Sequence, residues 1–185
     1  MLSHRMDPNT ELKLLERHHA ASIFQLIDAN RDHLRPWMFW VDHTKTVADS
    51  EDFVGKSLEG FTRGTEIHLG VWVDGEMAGI VGAHTIDPVK CYAEIGYWLG
   101  ERFQGRGIMT RSVRALVDYL LGERGLNRVE IRCAISNRRS QGVAERLGFR
   151  QEGRLKEAIR VGGAFEDLLI FGKLAKEWRA GKGEG

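Results

Sequence analysis

The spacing of apolar residues changes period several times along the chain, and each change predicts an element. Glu11-Leu12-Lys13-Leu14-Leu15 opens with polar and apolar residues alternating over a short run, as in a strand. Residues 18–31 then place Ala21, Phe24, Gln25, Leu26 and Ile27 on a helical stripe, and residues 49–62 carry Phe53, Leu58 and Phe61 in a second helical pattern. Residues 67–73 and 77–85 are apolar runs separated by Asp74-Gly75-Glu76, an Asp-Gly signal for an antiparallel hairpin. Residues 91–99 form a further strand. A helix follows on which Met109, Val113, Leu116, Val117 and Leu120 recur at three- and four-residue steps, its end bracketed by Gly122 and Gly125. Residues 129–135 alternate cleanly, a short helix from Ser140 stops at Gly148, and residues 150–161 and 164–174 pair around Gly162-Gly163. A strand–helix–strand crossover with hairpins on both sides predicts a mixed sheet in an α/β (or α+β) fold, open at one place for a ligand.

Size keeps this to one domain over residues 1–185, with residues 1–9 and 179–185 expected to be flexible. A content of 42% hydrophobic and 29% charged residues, with no long apolar run and no secretory leader pattern, predicts a cytoplasmic protein that does not cross a membrane. Cys91 and Cys133 both fall in segments that read as buried strands, without metal-ligand spacing, so they read as plain core thiols and no metal is expected. The net charge of +1 gives no reason to expect nucleic acid, although arginines crowd two places. Arg102, Arg106 and Arg111 surround one glycine turn, and Arg132, Arg138, Arg139, Arg146, Arg150 and Arg154 fill the segment after it. No aromatic platforms are interleaved with them, which disfavours a single-strand reader and favours a polyanionic small molecule. The aromatic segment Leu34-Arg35-Pro36-Trp37-Met38-Phe39-Trp40 is a candidate pocket wall, core element or homodimer surface.

The chemistry concentrates at Glu94-Ile95-Gly96-Tyr97-Trp98-Leu99-Gly100-Glu101-Arg102-Phe103-Gln104-Gly105-Arg106-Gly107-Ile108-Met109-Thr110, a strand, a glycine turn and a helix start in succession. The first backbone N–H groups of a helix have no internal partner and sit at the positive end of its dipole, so a diphosphate can dock there. Gly105 and Gly107 allow the close approach. A P-loop would need Lys-Ser/Thr after its second glycine, and a dinucleotide fingerprint would need a third glycine where Thr110 stands.

Arg102-x-x-Gly105-x-Gly107 resembles the acetyl-coenzyme A motif of the GNAT acyltransferases, and Asn137-Arg138-Arg139-Ser140 followed by Gly148-Phe149 resembles a second segment of that family. Finer details, among them Ala93-Glu94-Ile95-Gly96-Tyr97-Trp98 and Gly162-Gly163-Ala164-Phe165-Glu166-Asp167, are similar to the RimL/RimJ branch. The resemblance implies the acyl-CoA N-acyltransferase fold: a mixed seven-stranded sheet with a central parallel splay, here between residues 92–99 and 128–135, and flanking helices. It implies acetyl-CoA as cosubstrate, with main-chain contacts from Tyr97, Trp98 and Leu99 to its pantetheine arm and a diphosphate cradle of Gln104, Gly105, Arg106, Gly107, Ile108 and Met109. Asn137 and Ser140 would also hold the arm. On residue type alone Asn137 is equally suited to an N-cap, and the two roles are compatible.

Direct transfer to an amine needs a base for the ammonium and an acid for the departing thiolate. Ser140 is the candidate acid, since Phe149 stands where many relatives carry tyrosine. Glu94 is the leading candidate base, although strand alternation turns it away from Ile95, Tyr97 and Leu99; Glu157 is the second. The branch places its own carboxylate at the position of Ile159, two residues from Glu157 and on the same face of a strand. His68 and His84 read as isolated, structural or exposed residues. The expected acceptor is the α-amino group of a ribosomal protein; a small or peptide-antibiotic amine, or a non-catalytic acyl-CoA sensor, are the alternatives.

Overall fold

One pair of neighbouring strands runs parallel, and the fold is arranged around it. In this computed structural model, which describes residues 3–181, β5 (Tyr92–Leu99) passes through α4 (Ile108–Asp118) to β6 (Arg128–Ala134), and the two strands pair only from Tyr92 to Ile95 and from Arg128 to Ile131. Beyond Ile95 they diverge: β5 stays bonded to β4 (Glu76–Asp87) through Leu99, and β6 stays bonded to β8 (Ala164–Leu174) through Ala134. The splay expected between residues 92–99 and 128–135 is therefore present. It leaves one side of each strand without a partner strand, so those backbone groups need a ligand or water.

The other strands are antiparallel. β1 (Ser3–Asp7), β2 (Thr10–Leu14) and β3 (Ile67–Val73) lead to β4, and β7 (Arg150–Val161) closes the far edge, giving the order β1-β2-β3-β4-β5-β6-β8-β7. Among the described residues, eight strands replace the expected seven. The extra one, β1, lies within residues expected to be flexible; Asp7 accepts a hydrogen bond from the Asn9 amide at 2.9 Å, turning the chain back on itself, and Asp7 also pairs with Arg111 of α4. An exposed edge strand with a mixed polar pattern carries no clean alternation to read. At the other terminus α6 (Ala175–Ala180) runs through residues expected to be loose, and residues 182–185 of that expectation lie outside the described residues.

The helices form where the periodicity places them, with shifted phase in one case. α1 (Ala20–Asp28) buries Ala20, Ile23, Leu26 and Ile27 and leaves Ala21 and Gln25 exposed. It stops before the short α2 (Arg31–Leu34) because Asn30 turns inward, its side-chain amide donating to the Leu26 carbonyl at 2.8 Å. α3 (Val47–Arg63) starts at the Thr46–Asp49 capping box and ends on Gly64 in the left-handed region. All five apolar residues expected on and just after α4 are buried, and the chain there continues into a π-turn over residues 119–123. α5 (Arg138–Arg146) begins two residues earlier than expected. Cys91 is not in a buried strand: it is half-exposed in the turn before β5 with φ of 50°, and Cys133 is buried in β6.

α4 packs on β4, β5 and α5, on the face of β5 that carries Tyr97. α3 covers β3 on the opposite face, where Ser57 and Phe53 meet His68. His68 pairs across to Gly82 and on to Gly96, so this second face is the one that Glu94 shares.

Candidate active site

A cavity of about 970 Å³ opens at the splay. Its walls are Tyr97, Trp98 and Leu99 from β5, the glycine turn with the start of α4, and the first turns of α5. Gly105 and Gly107 have φ of 72° and 68°, a region where a side chain is strained, and Gly107 caps α4 without any side-chain hydrogen bond to its first amides. The N–H groups of Ile108, Met109 and Thr110 precede the first intrahelical bond, which Arg111 N–H makes to Gly107. These amides, with Arg138, Arg139 and Arg146 in the wall and, among the described residues, no carboxylate lining it, make a site suited to an anion.

The turn is braced from outside. Glu101 N–H donates to Asn30 Oδ1 at 2.9 Å, and the Gln104 amide donates to His33 Nε2 at 2.7 Å, so the α1–α2 corner holds the approach to the glycines. Leu34, Trp37 and Met38 continue this wall, and Trp40 packs on Trp98 with ring centres 5.9 Å apart. The aromatic segment is thus a pocket wall, with Phe39 alone left 85% exposed.

Of the residues expected to hold the cosubstrate, Tyr97, Trp98, Leu99, Gln104, Gly105, Gly107, Ile108, Met109, Asn137 and Ser140 line the cavity. Arg106 does not, though it stands between two glycines that do. Arg102 of the motif points elsewhere: it forms an ion pair with Glu76 and lies over the Phe103 ring. Asn137 is the N-cap of α5, accepting from Ser140 N–H at 3.1 Å, which leaves its NH₂ group as a donor.

Ser140 has a partner that the sequence did not reveal. Its hydroxyl donates to the Tyr97 phenol at 3.1 Å, and the phenol donates back to the Ser140 carbonyl at 3.0 Å. Burial pushes the Tyr97 pKa well above the usual phenol range, so the pair stays protonated. The Cys133 thiol is likewise raised by burial, which argues against a thiolate nucleophile.

Glu94 lies on the opposite face of β5 and does not line the cavity. It accepts from His84 Nε2 at 3.1 Å and from the Tyr92 hydroxyl at 3.3 Å, and pairs with Arg132 at 3.3 Å. The His84 bond, with Arg132 and Tyr92 adding to it against burial, holds its carboxyl below the usual glutamate value. His84 is therefore not isolated, contrary to the sequence expectation. Beside it, Glu130 accepts from Arg128, Arg132 and Tyr92, and Arg128 also reaches Glu152. Glu157 sits apart on a bulge of β7, where three residues oppose Asp167; its φ is 48° and its N–H donates to Asp167 at 2.9 Å. Among the described residues no group of three or more His, Cys, Asp or Glu side chains is placed to hold a metal ion.

Comparison with known proteins agrees with this geometry. Residues 9–150 match the family model described as acetyltransferase (GNAT) domain. The Bacillus subtilis (strain 168) protein YdaF is 33% identical over 98% of this chain and 100% of its own length. Among solved structures, the ribosomal alpha-N-protein acetyltransferase RimL in complex with coenzyme A is 28% identical, with a TM-score of 0.90 over 94% of this chain and 98% of that one. The microcin self immunity acetyltransferase MccE, in complex with acetyl-CoA and AMP, is 29% identical with a TM-score of 0.86, covering 91% of this chain and 94% of that one. A splayed parallel pair, a glycine-built helix start beside it and a family match across most of the chain lead to one conclusion: this chain belongs to the GNAT acetyltransferases.

Proposed function

We propose that the protein transfers the acetyl group of acetyl-CoA to a primary amine, and that the amine is the N-terminal α-amino group of a protein, of the ribosomal-protein type that RimL modifies. The observation that carries the donor half is the cavity itself, with orphaned amides at Ile108–Thr110 at one end and unpaired β5 backbone at the other. Its volume lies at the upper end of the ~300–1,000 Å³ range of small-molecule sites. The residues fit the donor. The α4 amides and Arg138, Arg139 and Arg146 receive a diphosphate, while the backbone of Tyr97–Leu99 and the Asn137 amide supply hydrogen bonds to an amide-rich arm lying along the strand.

The amine attacks the thioester carbon, the carbon–sulfur bond breaks, and the thiolate takes a proton. Ser140 gives that proton, with the Tyr97 phenol behind its hydroxyl to return one. The acceptor enters on the opposite face, where Glu94 supplies negative charge for the proton the ammonium must lose. Glu157 is the alternative base, disfavoured because its position on the hairpin bulge separates it from the splay. A ribosomal-protein acceptor places the reaction in the cytoplasm; among the described residues no helix is long and apolar enough to cross a membrane.

Similarity to MccE favours a second reading, in which the amine belongs to a small or peptide-derived molecule. The deciding experiment incubates the protein and acetyl-CoA with a panel of peptide N-termini and small amines, following thiol release and acetyl mass gain. Preference for the peptides supports the first reading and preference for small amines the second. No thiol release with any amine overturns both. Ser140→Ala is expected to lower kcat about 100-fold with little change in acetyl-CoA affinity.

A further inference from the structure

Two irregularities of the sheet fall at the same level, and one histidine occupies both. β4 and β5 pair from Gly79–Leu99 to Ala83–Ile95 and resume at Thr85–Glu94, so His84 is the extra residue of a β-bulge. The last β5–β6 pair is Ile95 with Ile131, so the splay opens immediately beyond that point. Bulges re-aim side chains, and they gather beside active sites.

The bulge turns His84 toward Gly96, the first β5 residue past the splay and the neighbour of cavity-lining Tyr97. A Cβ on Gly96 would lie 3.5 Å from His84 Nδ1. With no side chain there, the space under the ring stays open at the root of the gap. His84 Nε2 faces Glu94 Oε1 at 3.1 Å, and because an ionised carboxylate only accepts, Nε2 carries the proton. Nδ1 is then the basic nitrogen, directed over Gly96, with no hydrogen-bond partner among the described residues.

We propose that His84 is the proton acceptor for the incoming amine and that Glu94 is its positioning residue. This deepens the acyl-transfer reading above and rests on it. The acceptor ammonium gives its proton to His84 Nδ1, and the resulting imidazolium is held by the Glu94 carboxylate until the proton passes to solvent. The neutral amine forms the carbon–nitrogen bond, the carbon–sulfur bond breaks, and the second nitrogen proton replaces the one Ser140 delivers to the thiolate. Acetyl-CoA and the ammonium thus become the amide, free thiol and one proton.

Glu94 alone is the weaker base of the two, since His84, Arg132 and Tyr92 all stabilise its ionised form. The groups that face the dyad are His68 and Glu66 from β3 and the turn before it, Tyr92 and Glu94 from β5, and Arg132 from β6. Burial pushes His68 down to about 4, so it stays neutral near pH 7 and adds no charge beside the dyad.

The test compares wild type, His84→Gln and Glu94→Gln for thiol release from pH 5 to 10, with acetyl-CoA affinity by calorimetry and thermal melting as controls. His84→Gln is expected to lose about 100-fold in kcat/KM for the amine near pH 7, and to recover toward wild type as pH approaches the amine's own pKa. Acetyl-CoA affinity should not move. Glu94→Gln should lower the pH of the acid limb, because the imidazolium loses its counter-charge, a change that loss of packing alone does not produce. A wild type that turns over while His84→Gln matches it in kcat/KM and pH profile overturns the proposal and leaves acyl transfer standing. If wild type releases no thiol with any amine, both fall together.

Discussion

The two sides of the splay are built from different materials. On the Tyr97 side the cavity carries amides freed by Gly105 and Gly107 and three arginines, with no carboxylate among the described residues of its lining. On the Glu94 side the sheet is carpeted with paired side chains: Glu94, Glu130 and Glu152 interlock with Arg128, Arg132, His84 and Tyr92. The first side is a fixed mould for an anion. The second is a lattice of interlocked carboxylates and guanidinium groups with a histidine at its edge, and under the proposal above the contrast fits a donor that is always the same and an acceptor that must be deprotonated.

The largest expected effect tests the lattice. Glu130 is buried and bonded to two guanidinium groups, so Glu130→Ala should cost ~1.5–3 kcal/mol in urea unfolding by removing these charged hydrogen bonds, while Arg128 keeps Glu152 and Arg132 keeps Glu94 as partners. A loss below ~1 kcal/mol, the value of an exposed pair, would show that the lattice is ornamental to stability. The mould is tested next. Gly107→Val forces a branched side chain into the left-handed region, at a cost of ~1–2 kcal/mol, so acetyl-CoA affinity should fall roughly 10-fold or more by calorimetry.

A third measurement separates the two sides by pH. For Glu130, burial alone would raise the pKa, but hydrogen bonds from Arg128, Arg132 and Tyr92 overcome it and hold it low; Glu94 is held low first by His84. Both folded values therefore lie below the ordinary 4.5, so their stabilisation is complete above that pH and is lost as pH falls through the folded values. Melting temperature should drop below about pH 4.5, and Glu130→Gln should flatten the drop. The smallest effect is expected at Arg102→Ala. Its partner Glu76 is exposed, so stability should change by less than ~1 kcal/mol and acetyl-CoA affinity should hold, although Arg102 belongs to the motif.

The mould was legible in the sequence because it is contiguous: strand, glycines and helix start follow one another, and eight of the residues expected there do line the cavity. Asn137 and Ser140 were legible for the same reason, at a helix start. The lattice was not. His84 and Glu94 are ten residues apart on separate strands, and they meet only because a bulge inserts His84 out of register. Alternation did put Glu94 on the face opposite Tyr97, but no periodicity reveals what waits across the next strand. The Ser140–Tyr97 contact spans β5 and α5 and was hidden likewise. β1 escaped notice because an exposed edge strand has no buried side to set its pattern.

The gap between β5 and β6 has a bearing on how the protein persists between turnovers. A sheet that stops short of closing at its centre is completed by whatever lies in the breach, so occupancy enters the folding equilibrium directly: donor at one hundred times its Kd adds ~2.7 kcal/mol of stability. The enzyme's thermal stability would then rise with the logarithm of the donor's excess over its Kd, so the protein is most durable while its cosubstrate is plentiful.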